Sequence, residues 1–279
     1  MSRSAGSRGP AALLAGLAVV VALAAACSAD AGAHSTDEPL LVAAASDLQP
    51  AFTALGEQFA AETGAQVTFS FGSSGQLAQQ ALEGAPFDLF ASADAGYVEQ
   101  VLAGGRGDAA TRSTYAFGRI AIWARADAWG GWASLDDVVA DAGVTTLAIA
   151  NPEHAPYGLA ARQALETAGL WERARPRLVY GENVTDTQRL AASGNADAAV
   201  VALSLALAAD EQGTGRWRLV PEDAHAPLQQ ELVVTAEDPA RAALAARFVA
   251  HVSSTEGRAV MRRYGFWLPG DEPPTAWEG

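Results

Sequence analysis

Four short turns of the sequence carry small, uncharged hydrogen-bond donors where an apolar, strand-like run meets a helical pattern. Two contain serine: Ser46 ends the run LLVAAAS, and Ser74 lies in FGSSGQL at 71–77. The other two place Tyr157 in HAPYG and Val184 in GENVTD at the start of a helical pattern. The first N–H groups of a helix have no partner within it, and the helix dipole makes that end electropositive. Together the turns favour binding of a small anion.

Other kinds of chemistry find little support in these residues. A serine-hydrolase turn reads G-x-S-x-G, whereas residues 72–75 read G-S-S-G. The four histidines form no H-x-x-x-H pair, and no G-x-x-x-x-G-K-[ST] motif occurs. A serine before a helix is most often a cap, which contributes about 1 kcal/mol to stability, and His154 in PEHAP fits a solvated or hydrogen-bonded loop residue. Each turn alone therefore suits a structural role, and only their combination predicts a site.

The turns lie in a chain that alternates strand-like runs with helical patterns. After LLVAAAS, apolar residues recur at helical spacing at Leu48, Phe52, Leu55 and Phe59, and the alternation starts again after YAFGRIAIWAR at 115–125. This pattern predicts an α/β fold of two similar units, each with a mainly parallel sheet covered by helices. Ligands of such sheets bind at the carboxyl ends of the strands, so two facing units would bring all four turns around one anion.

The charge of the chain limits its partners. The sequence has 279 residues, about half of them apolar, which is enough for a large core. It has no lysine and a net charge of −14. Nucleic acid is not an expected partner, because binding to phosphate backbones needs clustered basic residues. An anion would have to be held by local dipoles and hydrogen bonds.

The N-terminus has the order of parts of a secretory signal. Two arginines precede 16 small or apolar residues, Ala11 to Ala26, and then the only cysteine, Cys27. Sixteen residues fall short of the roughly 20 that span a bilayer. We predict a signal peptide at 1–26, lipidation of Cys27 in the manner of bacterial lipoproteins, and a flexible tether at 27–38. Removal of the signal takes two of the 18 basic residues and leaves 16 against 32 acidic ones, a net charge of −16.

Six stretches of the sequence together resemble the molybdate-binding proteins of bacterial ABC importers. They are AAASDLQPAF (43–52), FGSSGQLAQQ (71–80), GAPFDLFASAD (84–94), NPEHAPYGLAARQAL (151–165), GENV (181–184) and RYGF (263–266). The resemblance runs from about Leu40 to Phe266. It implies the two-domain fold of type II periplasmic binding proteins, in which two crossing hinge strands join α/β domains that close on the ligand. By this resemblance domain 1 comprises 39–120 plus 233–279, and domain 2 comprises 121–232.

The resemblance also implies the ligand and its donors. Molybdate or tungstate, both tetrahedral dianions, would be bound by hydroxyl and N–H groups of Ser46 and Ser74 from domain 1. Tyr157 and Val184 would add N–H groups from domain 2, and Ser73 would support Ser74. Molybdenum is expected only as the bound oxyanion, with no metal of the protein's own and no cofactor.

Two residues depart from the pattern of this family. Ala202 stands where several relatives have a tyrosine whose hydroxyl reaches the anion, and the phenol of Tyr157 is expected to compensate for it. Asp47, beside Ser46, would repel a dianion. Its side chain is expected to point away at the first turn of the helix, where negative charge is favoured, so that only its N–H faces the anion.

The sequence thus predicts an exported receptor that is not an enzyme. We expect a monomer that is periplasmic or at the cell surface, is held to the membrane only by its lipid anchor, and passes molybdate or tungstate to an ABC permease. One alternative is a receptor for sulfate, thiosulfate or another tetrahedral oxyanion. A second is an exported enzyme on the same scaffold, which would need a base or a metal in the cleft, and the sequence offers no candidate for either.

Overall fold

The computed structural model describes residues 1–2 and 38–271. The predicted signal peptide, Cys27 and nearly all of the predicted tether lie outside the described residues. The strands are β1 (Leu40–Ala45), β2 (Val67–Gly72), β3 (Leu89–Ser92), β4 (Ser113–Gly118), β5 (Ile120–Arg125), β6 (Leu147–Ala150), β7 (Leu178–Gly181), β8 (Ala198–Ala202), β9 (Gly215–Leu219) and β10 (Leu228–Val234). The helices are α1 (Gln49–Thr63), α2 (Ser74–Leu82), α3 (Ala95–Ala103), α4 (Leu135–Ala140), α5 (Pro156–Thr167), α6 (Trp171–Ala174), α7 (Val184–Ala192), α8 (Leu203–Glu211), α9 (Pro239–Ser253) and α10 (Thr255–Arg263).

The strands form two five-stranded sheets with the same plan. The first has the order β2-β1-β3-β10-β4 and the second β7-β6-β8-β5-β9. In each sheet the first three strands are parallel, and the neighbour of the third strand runs antiparallel to it. The predicted α/β fold of two similar units, of the type II periplasmic-binding-protein class, is confirmed.

The first sheet is covered by helices on both faces, as expected for a sheet in which β1 and the first three residues of β3 are apolar. On one face Ala43 and Phe90 pack with Leu77 of α2 and with Val98 and Val101 of α3. On the other face α1 and α9 lie against the sheet through the rings of Phe52, Phe59, Phe69 and Phe248, whose centroids are 5.4 to 6.0 Å apart. Continuous apolar strands are typical of parallel sheets buried by helices.

The run at 115–125, which the sequence presents as one segment, is two strands. β4 pairs in the first sheet and β5 in the second, and Arg119 between them donates both Nε and Nη2 to the carbonyl of Gly265. The chain returns through β10, which pairs with β4 from Leu228 onward. Sheet membership therefore changes at Arg119 and again before Leu228, and the domain boundaries at 120 and 232 stay predictions.

Helix α8 and strand β9, which follow β8 along the chain, were not predicted. In ADAAVVALSLA the apolar residues continue from β8 into α8, interrupted only by Ser204, and β9 contains the charged run GRWRL. Neither α8 nor β9 shows the apolar period of its element, and β9 is identified only by its pairing with β5. No helix among the described residues has the length and apolar character needed to cross a membrane.

Candidate anion-binding site

A small cavity lies between the two sheets, at the carboxyl ends of their parallel strands. Its volume is small: the space open to the centre of a water molecule is about 10 Å³. The walls are formed by the turns after β1, β2 and β3 on one side and after β6 and β7 on the other. The lining residues are Ala45, Ser46, Asp47, Gly72, Ser73, Ser74, Ala93, Ala155, Pro156, Tyr157, Asn183 and Val184. All six residues predicted for the site thus line one cavity, while their binding of an anion stays a prediction.

On the first wall, the two serines of FGSSGQL have separate roles. Ser73 precedes α2, yet its hydroxyl makes no cap hydrogen bond to that helix. Ser74 is the first residue of α2, and its Oγ accepts a hydrogen bond from the N–H of Ala93 (3.0 Å). A hydroxyl that accepts in this way keeps its own proton to donate. Ser74 is therefore fixed in position with its O–H donor available, and Ser46 lies beside it, buried, at the end of β1.

On the second wall, two helices begin at the cavity. α5 begins at Pro156 after Ala155, which offers no side-chain cap. α7 begins at Val184, and the side chain of the preceding residue, Asn183, accepts from the N–H of Asp186 one turn on. The N–H groups of Tyr157 and Val184 belong to the first turns, where no carbonyl of the helix can accept from them. These two helix ends supply backbone donors and positive dipole ends.

Hydrogen bonds across the cleft hold the two walls together. The hydroxyl of Ser73 lies 2.8 Å from Nδ1 and 2.6 Å from the carbonyl oxygen of His154, and that oxygen also accepts from the N–H of Gly75 (3.0 Å). Deeper in the cleft, Thr185 donates to the carbonyl of Ser46 (3.0 Å). A Cβ at Gly75 would lie 2.7 Å from the same His154 oxygen, so glycine permits the close approach of the walls. Ser73 is thus a contact between the walls, and His154 is the hydrogen-bonded loop residue that the sequence suggests.

Asp47 lies at the start of a helix, as predicted, but its carboxyl group is inside the protein and not at its surface; its direction relative to an anion stays a prediction. It belongs to a short 3-10 helix (Ser46–Leu48) before α1 and is fully buried, with 0% exposure. Its Oδ2 accepts hydrogen bonds from Nε2 of Gln230 (2.7 Å) and from the hydroxyl of Tyr157 (2.9 Å). The reason is tertiary. β10 and α5 pack over the turn at Ser46–Leu48 and supply the donors of Gln230 and Tyr157, so the carboxylate is buried among them.

Burial also changes the acidity of Asp47. Loss of water raises its pKa from 3.8 to about 6, although the hydrogen bonds from Gln230 and Tyr157 and the N–H groups of Asp47 and Leu48 lower it. Its other oxygen, Oδ1, has no hydrogen-bond partner among the described residues. Asp47 is the one residue with a charged side chain in the lining of the cavity.

The phenol of Tyr157 bonds other partners than the predicted anion. Its hydroxyl donates a hydrogen bond to Oδ2 of Asp47 and accepts one from Nε2 of Gln230 (3.1 Å). The ring fits because residue 118 is glycine, where a Cβ would lie only 2.2 Å from the phenol oxygen. Ala202, at the end of β8, is buried and outside the cavity lining. The phenol therefore does not replace the missing tyrosine in this arrangement.

Three polar residues near the site were missed by the sequence analysis. Gln230 is buried within β10 and bonds Asp47, Tyr157 and the hydroxyl of Tyr115, which donates to its Oε1 (2.9 Å). Ser204 of α8 donates to the carbonyl of Asp47 (2.7 Å). Gln230 stands between Gln229 and Glu231 in the strand LQQELVV, and this polar run inside a strand was a usable signal. Tyr115 and Ser204 occur in patterns that any buried element could contain. Within the described part of the chain, no group of three His, Cys, Asp or Glu residues is arranged to hold a metal ion.

Comparison with known proteins identifies the chain's relatives. The family model described as bacterial extracellular solute-binding protein matches residues 40–267. The molybdate-binding protein ModA of Rhodobacter capsulatus is 33% identical over 231 residues, which cover 82% of this chain and 88% of that protein. ModA of Escherichia coli is 31% identical over 92% of this chain and 97% of its own length. The resemblance seen in the six sequence stretches is therefore confirmed.

A solved structure agrees with these sequence matches. The periplasmic molybdate-binding protein of Azotobacter vinelandii superposes with a TM-score of 0.76 at 33% identity and covers 82% of this chain and 99% of that one. The sulfate-binding protein SubI of Mycobacterium tuberculosis has a TM-score of 0.68 at 16% identity, a likeness in fold alone.

Proposed function

Because this chain belongs to the family of bacterial extracellular solute-binding proteins, we propose that it is the receptor that binds molybdate or tungstate in the cavity between its sheets and delivers it to an ABC permease. The observation that carries the proposal is the meeting of Ser46, Ser74 and the first turns of α5 and α7 in one small cavity. The ligand follows from the relatives, which are named as molybdate-binding proteins.

Hydrogen bonds alone can supply the affinity that such a receptor needs. A hydrogen bond to a charged partner contributes about 1.5 to 3 kcal/mol, so six or seven would give roughly 10 to 15 kcal/mol before the cost of ordering the site. That range corresponds to dissociation constants from about micromolar to nanomolar. The absence of a basic side chain from the cavity lining is compatible with tight binding of a dianion.

We expect selectivity to come from the kind and number of donors. Serine hydroxyls and helix N–H groups suit an oxyanion without protons, and molybdate and tungstate carry none in neutral solution. Sulfate is smaller and would leave some donors without an acceptor, which costs affinity. We therefore expect the site to prefer molybdate and tungstate to sulfate.

We further propose that the protein works as a monomer without a cofactor and does no chemistry of its own. The N-terminal segment supports export, and Cys27 supports a lipid anchor at the cell surface. The mass of the mature chain purified from membranes tests the anchor, and an unmodified N-terminus elsewhere than Cys27 would contradict it.

Thermal melting of the exported domain with single anions tests the binding function. Molybdate or tungstate at a hundred times its Kd should stabilise the protein by about 2.7 kcal/mol. Sulfate, thiosulfate and phosphate at equal concentration are the matched controls. A shift with sulfate or thiosulfate but not with molybdate would assign the alternative ligand, and no shift with any of these anions would contradict oxyanion binding.

A further inference from the structure

Asp47 is a residue with a charged side chain beside the proposed site of a charged ligand. The residue lines the same cavity as Ser46, Ser74 and Tyr157, its side chain is fully buried, and its Oδ1 has no hydrogen-bond partner among the described residues. We propose that Asp47 couples anion binding to protonation: the carboxylate takes up one proton from solvent when a dianion enters, and the complex holds the dianion beside a neutral carboxyl. This inference rests on the proposed function and names the residue that sets the pH dependence of its affinity.

The groups packed around Asp47 offer no charge that could offset both it and a dianion. From β10, Gln230 donates a neutral amide hydrogen bond; from α5 and β4 the facing titratable groups are the phenols of Tyr157 and Tyr115. Burial raises the pKa of both phenols well above 10, so both are neutral. The α8 contact is the hydroxyl of Ser204, on the carbonyl of Asp47.

The cation nearest this cluster is Arg119, which donates Nε and Nη2 to the neutral carbonyl of Gly265 and keeps its charge. That charge acts on Tyr157, whereas the pKa of Asp47 is set by burial and hydrogen bonds alone. α7 faces the turn with Thr185, whose hydroxyl donates to the carbonyl of Ser46. A carboxylate and a dianion in one buried site repel strongly, because the low local dielectric screens them little. Neutralising the carboxyl group removes this repulsion.

The hydrogen bonds of Asp47 suit the neutral form. Oδ2 already accepts two hydrogen bonds, so the proton would go to Oδ1, which accepts none. A protonated Oδ1 is a hydrogen-bond donor and carries no negative charge. The proton stays on the carboxyl group, and no bond within the anion is made or broken. Burial already raises the pKa of the ligand-free carboxyl to about 6, which makes protonation easier than at an exposed aspartate.

The sign of the pH dependence follows from the pKa of Asp47 in the free protein and in the complex. The pKa of Asp47 is about 6 in the free protein, and a neighbouring dianion raises it further. Between these two values the complex binds one proton more than the free protein, so affinity falls as pH rises. From about pH 6.5 to about pH 8.5 we expect the affinity for molybdate to fall by about tenfold or more.

Titration calorimetry on the wild-type protein is the direct test. Molybdate is titrated into the protein at about pH 7.5 in buffers that differ in their heat of ionisation, and the dependence of the measured heat on the buffer gives the number of protons taken up. We expect uptake approaching one proton. No uptake, or release of protons, would overturn the inference while leaving the binding function intact.

The variant Asp47→Asn provides a second measurement, because its amide mimics the neutral carboxyl. We expect it to bind molybdate more tightly than wild type at about pH 8.5, with little change of affinity between about pH 6.5 and pH 8.5 and no proton uptake. The matched control is Glu99→Gln, which removes one charge from the exposed side of α3 and should keep the wild-type profile.

The outcomes separate the two proposals. If the wild-type protein binds no tetrahedral oxyanion at any pH, the proposed function fails and this inference fails with it. If it binds molybdate with an affinity that does not change with pH and without proton uptake, only the role of Asp47 fails. If Asp47→Asn retains the wild-type pH profile, the proton is bound elsewhere and the assignment to Asp47 is overturned.

Discussion

The two walls of the cleft offer an anion different kinds of donor. The first wall presents serine side chains: Ser46 and Ser74, with Ser74 fixed by the N–H of Ala93. The second wall presents the backbone of two helix ends at Tyr157 and Val184, whose side chains are a phenol turned towards Asp47 and an apolar isopropyl group. The difference means that side-chain truncation should damage the first wall, whereas only a backbone change should damage the second.

The largest effect should come from the first wall. Ser74→Ala removes a hydroxyl donor to a charged ligand, and we expect molybdate affinity to fall by about 100-fold, near the upper end of 1.5 to 3 kcal/mol. The same change leaves the buried N–H of Ala93 without its acceptor, so the free energy of unfolding should fall by about 1 kcal/mol. Calorimetry and chemical denaturation measure the two effects. Unchanged affinity would remove Ser74 from the site.

On the second wall, two substitutions of Val184 should differ in their effect on affinity, because only one of them removes the backbone N–H. Val184→Pro removes an N–H at the first position of α7, where proline is tolerated, and Asn183 before it already has an extended backbone. We expect about a tenfold loss of affinity with the helix retained. Val184→Ala keeps the N–H and serves as the control.

Val184→Ala should bind molybdate within about twofold of wild type, because the donor is the backbone. Circular dichroism of Val184→Pro checks that α7 is retained. If alanine weakens binding as much as proline does, the second wall works through its side chain and the contrast between the walls is wrong.

The smallest effect should come from the contact between the walls. At Gly75 a Cβ would meet the carbonyl of His154 at 2.7 Å, so Gly75→Ala should hold the walls apart and lower affinity by about fivefold. The new Cβ would also lie 2.9 Å from the hydroxyl of Tyr97, which must shift. Alanine favours helix over glycine by about 1 kcal/mol, which offsets this cost, so the unliganded melting temperature should change little. Gln80→Ala, on the exposed face of α2, is the control. A loss of melting temperature with no loss of affinity would make Gly75 a residue of the fold only.

Much of this site could be read from the sequence because it depends on local patterns. The strands before Ser46 and Ser74 and the helices at Pro156 and Val184 are marked by apolar runs, helical spacing and turn residues. The rule that ligands bind at the carboxyl ends of parallel strands then brings these turns together, and the structure places all of them on one cavity. Local pattern and a topological rule were enough for the position of the site.

The orientation of side chains could not be read in this way. Asp47 was expected at a helix start with its side chain away from the anion, because the sequence near it contains only the local preference for negative charge at that position. Its actual partners, Tyr157 and Gln230, are 110 and 183 residues further along the chain. The division of the run at 115–125 at Arg119 likewise depends on which sheet each half joins.

The sequence by itself therefore determined the two-sheet α/β fold, the family and the turns that line the cavity, since each depends on residues that are neighbours along the chain. Tertiary structure alone decided that Asp47 faces inward, that the phenol of Tyr157 serves Asp47, and that Ser73 bonds His154 across the cleft. The physical reason is that these are contacts between groups distant in sequence. Burial by other elements decides their direction and raises the pKa of Asp47.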